Sequence, residues 1–194
     1  MRITAGKLKG RTLRSADDHR PTKDQVRLAV FNALAARVPG ARALDLFAGT
    51  GSLGLEAWSR GADRVEFVEQ DPSAFKALVA NLKAFATPEE AGRLRGHRED
   101  ALTFVARMEG RAQYDLIFAD PPYAFADGQR NWAAETLAAV DATGLLAPGG
   151  ILVLELKDTQ SLAQPATLRP FLDRTYGISR VVMCERPAAA EVPA

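Results

Sequence analysis

Two short segments hold residues whose types and order could do chemistry. They are Asp45-Leu46-Phe47-Ala48-Gly49-Thr50-Gly51-Ser52-Leu53-Gly54 and, well downstream, Asp120-Pro121-Pro122-Tyr123. Each directly follows a run that reads as a buried strand, Ala43 to Phe47 and Tyr114 to Ala119. In an open α/β sheet a ligand binds at the carboxyl ends of the strands, where the first strand-to-helix turn must let backbone approach it closely. Gly49, Gly51 and Gly54 supply such a turn, with Phe47, Ala48 and Thr50 as its other contact residues. Alone, these glycines could simply tighten strand-to-helix packing. Their acidic company at successive strand ends, Asp45, Glu69 and Asp100, points further. A pyrophosphate disfavours nearby carboxylates, whereas a cationic sulfonium joined to adenosine is attracted by them, so S-adenosylmethionine fits better than a dinucleotide. Glu69, with Gln70 beside it, is assigned to the ribose hydroxyls as a two-oxygen acceptor, and Asp100, followed by Ala101, to the adenine amine. Asp45 would orient the turn and the methionine amine. Asp71, before Pro72, reads as a helix cap.

The second segment suits methyl transfer to a planar amine. Such a nitrogen is a poor nucleophile because its lone pair is delocalised, so its N–H groups need acceptors that hold it in line with the methyl donor. Asp120 and the Pro121 carbonyl can accept, and neither Pro121 nor Pro122 has an N–H to intrude. Tyr123 offers a face on which an extruded base can stack. As a bare tetrapeptide the segment could be a rigid turn; its place after a buried strand favours catalysis.

These residues need a scaffold, and the rest of the chain supplies one. Val26, Ala29, Val30, Ala33 and Leu34 share a helical face that opens at Thr22 with Gln25, a capping-box spacing, and closes at Pro39-Gly40. Further strands are expected at residues 64–68, 93–97 and 151–156, with helices at 52–60, 73–85, 101–108 and 132–140. This alternation predicts a doubly wound, mostly parallel sheet. A C-terminal antiparallel pair is expected at 175–179 and 180–185. Residues 1–186 read as one domain, 1–21 as its basic N-terminal arm and 187–194 as a tail. The loop from Phe125 to Trp132 reads as a substrate lid.

The 194 residues carry 25 basic and 24 acidic side chains, but Met1 to Arg27 holds eight basic against three acidic. That stretch is either a solvated arm or an attractor for a polyanion such as RNA. The single cysteine, Cys184, allows no internal disulfide and reads as core, and neither His19 nor His97 has a partner at metal-ligand spacing. Trp58 and Trp132 read as packing residues. No apolar run reaches bilayer length and no signal-peptide pattern opens the chain, so a soluble, cytoplasmic, monomeric protein without metal is expected.

Met1 to Arg11, Arg20-Pro21-Thr22 with Arg27 and Phe31-Asn32, the Asp45–Gly54 turn, Gly61-Ala62, Val68 to Asp71, and Asp120 to Tyr123 together resemble the RsmD family. These bacterial enzymes methylate the exocyclic N2 of a guanine in 16S ribosomal RNA. The resemblance covers Met1 to about Glu185. It implies a Rossmann-like class I fold with an added antiparallel pair, S-adenosylmethionine as cofactor, a catalytic Asp-Pro-Pro-Tyr, and 16S rRNA or the small ribosomal subunit as partner. Lys7, Lys9, Arg11, Arg20, Thr22 and Arg27 are the expected RNA contacts. Alternatives are an amino-group methyltransferase on DNA adenine or a protein amide, and an inactive RNA-binding accessory protein.

Overall fold

The computed structural model describes residues 1–14, 21–111, 113–123 and 130–188, and all side chains there except those of 21–23 and 91. Seven strands form one sheet: β1 (Arg42–Leu46), β2 (Arg64–Val68), β3 (Leu94–His97), β4 (Tyr114–Ala119), β5 (Leu146–Lys157), β6 (Arg169–Tyr176) and β7 (Ser179–Glu185). Their order is β3-β2-β1-β4-β5-β7-β6. The first five pair in parallel, and β7 is antiparallel to both β5 and β6. The sheet therefore matches the expected doubly wound architecture, a class I methyltransferase topology.

Helices α1 (Pro21–Ala33), α2 (Ser52–Ser59) and α3 (Pro72–Phe85) cover one face, and α4 (Ala101–Arg107) and α5 (Trp132–Thr143) the other. Alternate strand residues feed the two layers: Ala43, Phe118 and Val153 pack toward α1 to α3, whereas Leu44, Ile117 and Leu154 pack toward α4 and α5. Burial on both faces explains why these strands read as continuous apolar runs. Cys184 lies in the second layer, and burial pushes its thiol up to about 11.

Three expectations change. Helix α1 begins at Pro21 and ends at Ala33, so Thr22 lies inside it rather than capping it, and a turn fills the stretch to Pro39-Gly40. The C-terminal pair is longer than expected and turns at Gly177-Ile178, where Gly177 has φ +60°. Strand β6 carries almost no buried side chain, so it lacks the alternation that marks a half-buried strand. Residues 1–14 are not a loose arm. Arg2 pairs antiparallel with Thr12, Leu13 N–H donates to the Met1 carbonyl, and Ile3, Leu8 and Leu13 are buried. At Gly6 the chain runs so close to α2 that a Cβ would lie 1.8 Å from the Ser59 carbonyl oxygen.

Beneath this hairpin, Glu56 is wholly buried in α2. Its carboxylate accepts from Thr4 N–H at 2.8 Å, Thr4 Oγ1 at 2.6 Å and Arg60 Nε at 2.7 Å. Burying that charge requires such saturation, and the bonds fasten the hairpin to the helix that starts at the Gly-rich turn.

Candidate active site

The first strand ends at Leu46, and the chain then makes a tight left-handed passage: Phe47 has φ +58°, Gly49 +54° and Gly51 +90°. Gly51 N–H closes the turn on the Ala48 carbonyl at 2.7 Å, and α2 begins at the next residue. The turn's glycines do different work. Gly49 faces open space and is needed for its backbone angle, whereas a Cβ at Gly54 would lie 2.3 Å from Phe67 Cε1. Gly54 is thus a packing residue that lets α2 rest against β2.

Asp45, 2 % exposed, accepts from Gly54 N–H at 2.8 Å through Oδ2. It orients the turn from below. Burial drives its carboxyl well above the ordinary carboxylate range against the lowering effect of that N–H, and the charges of Asp120 and Glu69 push the same way as burial. Glu69, just past β2, binds the loop from the other side. Its Oε2 accepts from Gly49 N–H at 2.8 Å and its Oε1 from Asp71 N–H at 2.7 Å. Asp71 in turn caps α3 through Ser73 and Ala74 N–H, as its place before Pro72 indicates.

At the end of β3, Asp100 caps α4: its Oδ1 accepts from Thr103 N–H at 2.9 Å and Oγ1 at 3.1 Å. Its neighbour Glu99 lines the adjoining cavity instead. Arg107 grips Glu99 at 2.7 and 3.2 Å, and that guanidinium holds its carboxyl below the usual range. The cap engages Oδ1 of Asp100 and Arg107 engages both oxygens of Glu99, so the helix start does not by itself move the expected adenine contact from one carboxylate to its neighbour.

The cavity measures about 370 Å³ and is lined by Phe47, Val68, Glu69, Gln70, Glu99, Ala101 and Asp120 to Tyr123. It joins the two segments that the sequence singles out. Leu46 pairs with Ala119, so Asp120 emerges beside the Gly-rich turn. Pro121 is buried and Pro122 exposed. The Tyr123 hydroxyl donates to Glu155 Oε1 at 2.7 Å and lies 2.8 Å from Ser179 Oγ. Burial and the Glu155 charge raise its pKa, so the hydroxyl stays protonated. Three carboxylates on a partly apolar wall suit a cationic ligand with an apolar body. The donor set therefore fits an adenosyl sulfonium, with Glu69 and Glu99 on the side of β2 and β3.

The described residues among the expected RNA contacts do not line this cavity, although Arg27 lines a neighbouring pocket that also includes Asp120. Arg27 is 3 % exposed, with Nη2 on the Arg2 carbonyl and Asp24 Oδ1, each at 2.7 Å, and Nε 3.7 Å from Glu56. It is an internal tie and not a phosphate ligand. Lys7 Nζ sits 2.7 Å from Glu90 and 3.7 Å from the Trp58 ring centre. Arg11 donates to the Ala84 carbonyl at 2.8 Å and stacks on Phe85. Both pack at the C-terminal ends of α2 and α3, while the cavity lies at their N-terminal ends. Across α3 that separation is about 20 Å. Lys9 is exposed on the same hairpin tip. Arg20, His19, the Thr22 side chain, residues 125–129 of the expected lid and residues 189–194 of the tail lie outside the described residues. Among the described residues no cluster of His, Cys, Asp and Glu could hold a metal ion, and no helix is long and apolar enough to cross a membrane.

Comparison with known proteins bears on the same features. The family model described as Conserved hypothetical protein 95 matches residues 1–185. The Haemophilus influenzae protein named Ribosomal RNA small subunit methyltransferase D is 31% identical over 180 residues, covering 92% of this chain and 90% of that protein. Among solved structures, Escherichia coli yhhF superposes with a TM-score of 0.83 at 32% identity, over 97% of this chain and 98% of the other. A Thermus thermophilus 16S rRNA N2 G1207 methyltransferase, solved with AdoMet and guanosine, superposes with a TM-score of 0.68 at 24% identity, over 92% of this chain and 46% of that one. This last likeness is one of fold. With a family model spanning nearly all of its length and relatives alike from end to end, the chain belongs to the RsmD family.

Proposed function

We propose that this protein transfers a methyl group from S-adenosylmethionine to the exocyclic N2 amine of a guanine in 16S rRNA of the small ribosomal subunit. The observation that carries the reading is one cavity holding both Glu69, which braces the Gly-rich turn, and the Asp120-Pro121-Pro122-Tyr123 segment. The name of the Haemophilus influenzae relative, which this chain matches over most of its length, supports small-subunit rRNA as the substrate class.

Glu69, Gln70, Glu99, Ala101 and Phe47 would hold the cofactor, which supplies an electrophilic methyl on a cationic sulfur and departs as a neutral thioether. Asp120 and the Pro121 carbonyl accept from the two N–H groups of the amine, which orients its weak lone pair along the line of transfer. Alkylation makes the nitrogen strongly acidic, and Asp120 then takes the surplus proton. The Tyr123 ring supports the flipped base, a stacking contact of about 1 to 3 kcal/mol. The hairpin tip with Lys7 and Arg11 lies apart from this chemistry, so any RNA contact it makes is to a part of the substrate away from the target base.

The test is mass-spectrometric mapping of rRNA from cells with and without the protein. Loss of one N2-methylguanine from 16S rRNA supports the reading. Unchanged rRNA, with a missing methyl on DNA adenine or a protein amide, contradicts it.

A further inference from the structure

Glu155 and Ser179 meet at a single atom, the hydroxyl oxygen of Tyr123. Glu155 lies near the end of β5 and is 8 % exposed; Ser179 opens β7 and is 5 % exposed. The Tyr123 hydroxyl donates to Glu155 Oε1 at 2.7 Å and is 2.8 Å from Ser179 Oγ. A phenol has one proton to give and lone pairs to offer, so with its proton on Glu155 it accepts from the serine. These two directions fix the far end of a side chain that turns about only two bonds. The near end follows Pro121 and Pro122, which lack the N–H groups that would otherwise pin the turn. The ring body between these ends lines the cavity next to Asp120.

We propose that Glu155 and Ser179 are positioning residues that set the plane of the Tyr123 ring and thereby the plane in which the target base is presented to Asp120. This rests on the reading of Tyr123 as the stacking face. It gives the antiparallel end of the sheet a part in the reaction: Ser179 comes from the strand that runs against β5, with Lys157 opposite it. An untethered ring would still offer a stacking surface but in many orientations, and misplacing a bound reactant by about 1 Å can lower turnover by as much as about 100-fold.

A double-mutant cycle tests this, with small ribosomal subunits from cells lacking the protein as substrate. Tyr123→Phe keeps the ring and removes the tether; Glu155→Ala removes the acceptor and Glu155→Gln keeps one. Each tether-breaking change is expected to lower kcat/KM about tenfold, and the double variant Tyr123→Phe/Glu155→Ala also about tenfold, because both remove the same constraint. Glu155→Gln should restore most of the loss, and S-adenosylmethionine affinity by calorimetry should stay at the wild-type value in all of them. A merely structural role would instead lower the melting midpoint and cofactor affinity together with activity. Losses that multiply to about 100-fold in the double variant, or Tyr123→Phe with wild-type kcat/KM, would overturn the proposal. Wild-type kcat/KM in Tyr123→Ala would overturn the stacking reading itself, and the positioning role with it.

Discussion

Glu69 holds the backbone of Gly49. Its Oε2 accepts from the Gly49 N–H at 2.8 Å while its other oxygen holds Asp71 N–H, so one carboxylate spans the Gly-rich turn and the start of α3. The side chain assigned to the cofactor ribose is thus also the brace of the loop beside it, and each of its oxygens keeps a second lone pair for a ligand hydroxyl.

Glu69→Ala should therefore weaken S-adenosylmethionine binding by about 1 to 3 kcal/mol, through missing ligand bonds and a loosened turn. Glu69→Gln, which keeps one acceptor oxygen, should fall between it and the wild type. Isothermal calorimetry measures both.

The two kinds of glycine should separate in stability measurements. Gly54→Ala places a methyl inside the contact radius of Phe67, a fully buried ring, and should cost about 1 to 3 kcal/mol despite alanine's better helix propensity. Gly49→Ala meets no neighbour but must hold φ +54°, at about 1 to 2 kcal/mol. Urea unfolding midpoints for the two variants check this.

Asp45 gives the fold an unusual pH response. Its carboxyl is raised in the folded state, so the native protein binds that proton more tightly than the unfolded chain does. The stabilisation is complete below the unfolded value near pH 4 and is lost as pH rises toward the folded one. Asp45→Asn keeps an acceptor for Gly54 N–H and removes the titration. Its stability relative to wild type should rise as pH increases from about 4, a trend that unfolding curves at several pH values would show.

Much of this architecture is legible in the residues themselves. Apolar runs such as Tyr114 to Ala119 announce strands buried on both faces, and the helices between them follow from spacing. The first part of strand β6, residues 169–174, is not legible, because Phe171 and its neighbours are exposed and Pro170 argues against a strand. Arg27 reads as a surface cation because nothing local shows Glu56, which reaches it only once α1 and α2 pack. The tie between Tyr123 and Glu155 is hidden for the same reason: 32 residues separate them, and only the β4–β5 register brings them together. Spacing finds carboxylates at strand ends; it does not show which of them backbone N–H groups have already taken.

The placement of Lys7 and Arg11 leads to a specific expectation for the variant with Lys7, Lys9 and Arg11 all changed to Gln. Their interactions are half-exposed and worth little, so stability should fall by no more than about 1 kcal/mol. The salt dependence of binding to small subunits should keep its log-log slope. A slope flattened by about 0.7 to 0.9 for each phosphate no longer neutralised would instead return the hairpin tip to the RNA interface.

Asp120 lines the cavity together with both the residues proposed to hold the cofactor and Tyr123. The deciding measurement is methyl transfer by Asp120→Ala to small subunits, with S-adenosylmethionine affinity determined on the same preparation. Turnover should fall at least about 100-fold, as for other preorganised polar groups acting at the transition state, while cofactor affinity stays within about twofold of wild type. Near wild-type methylation by Asp120→Ala would contradict the assignment of this carboxylate to the target amine.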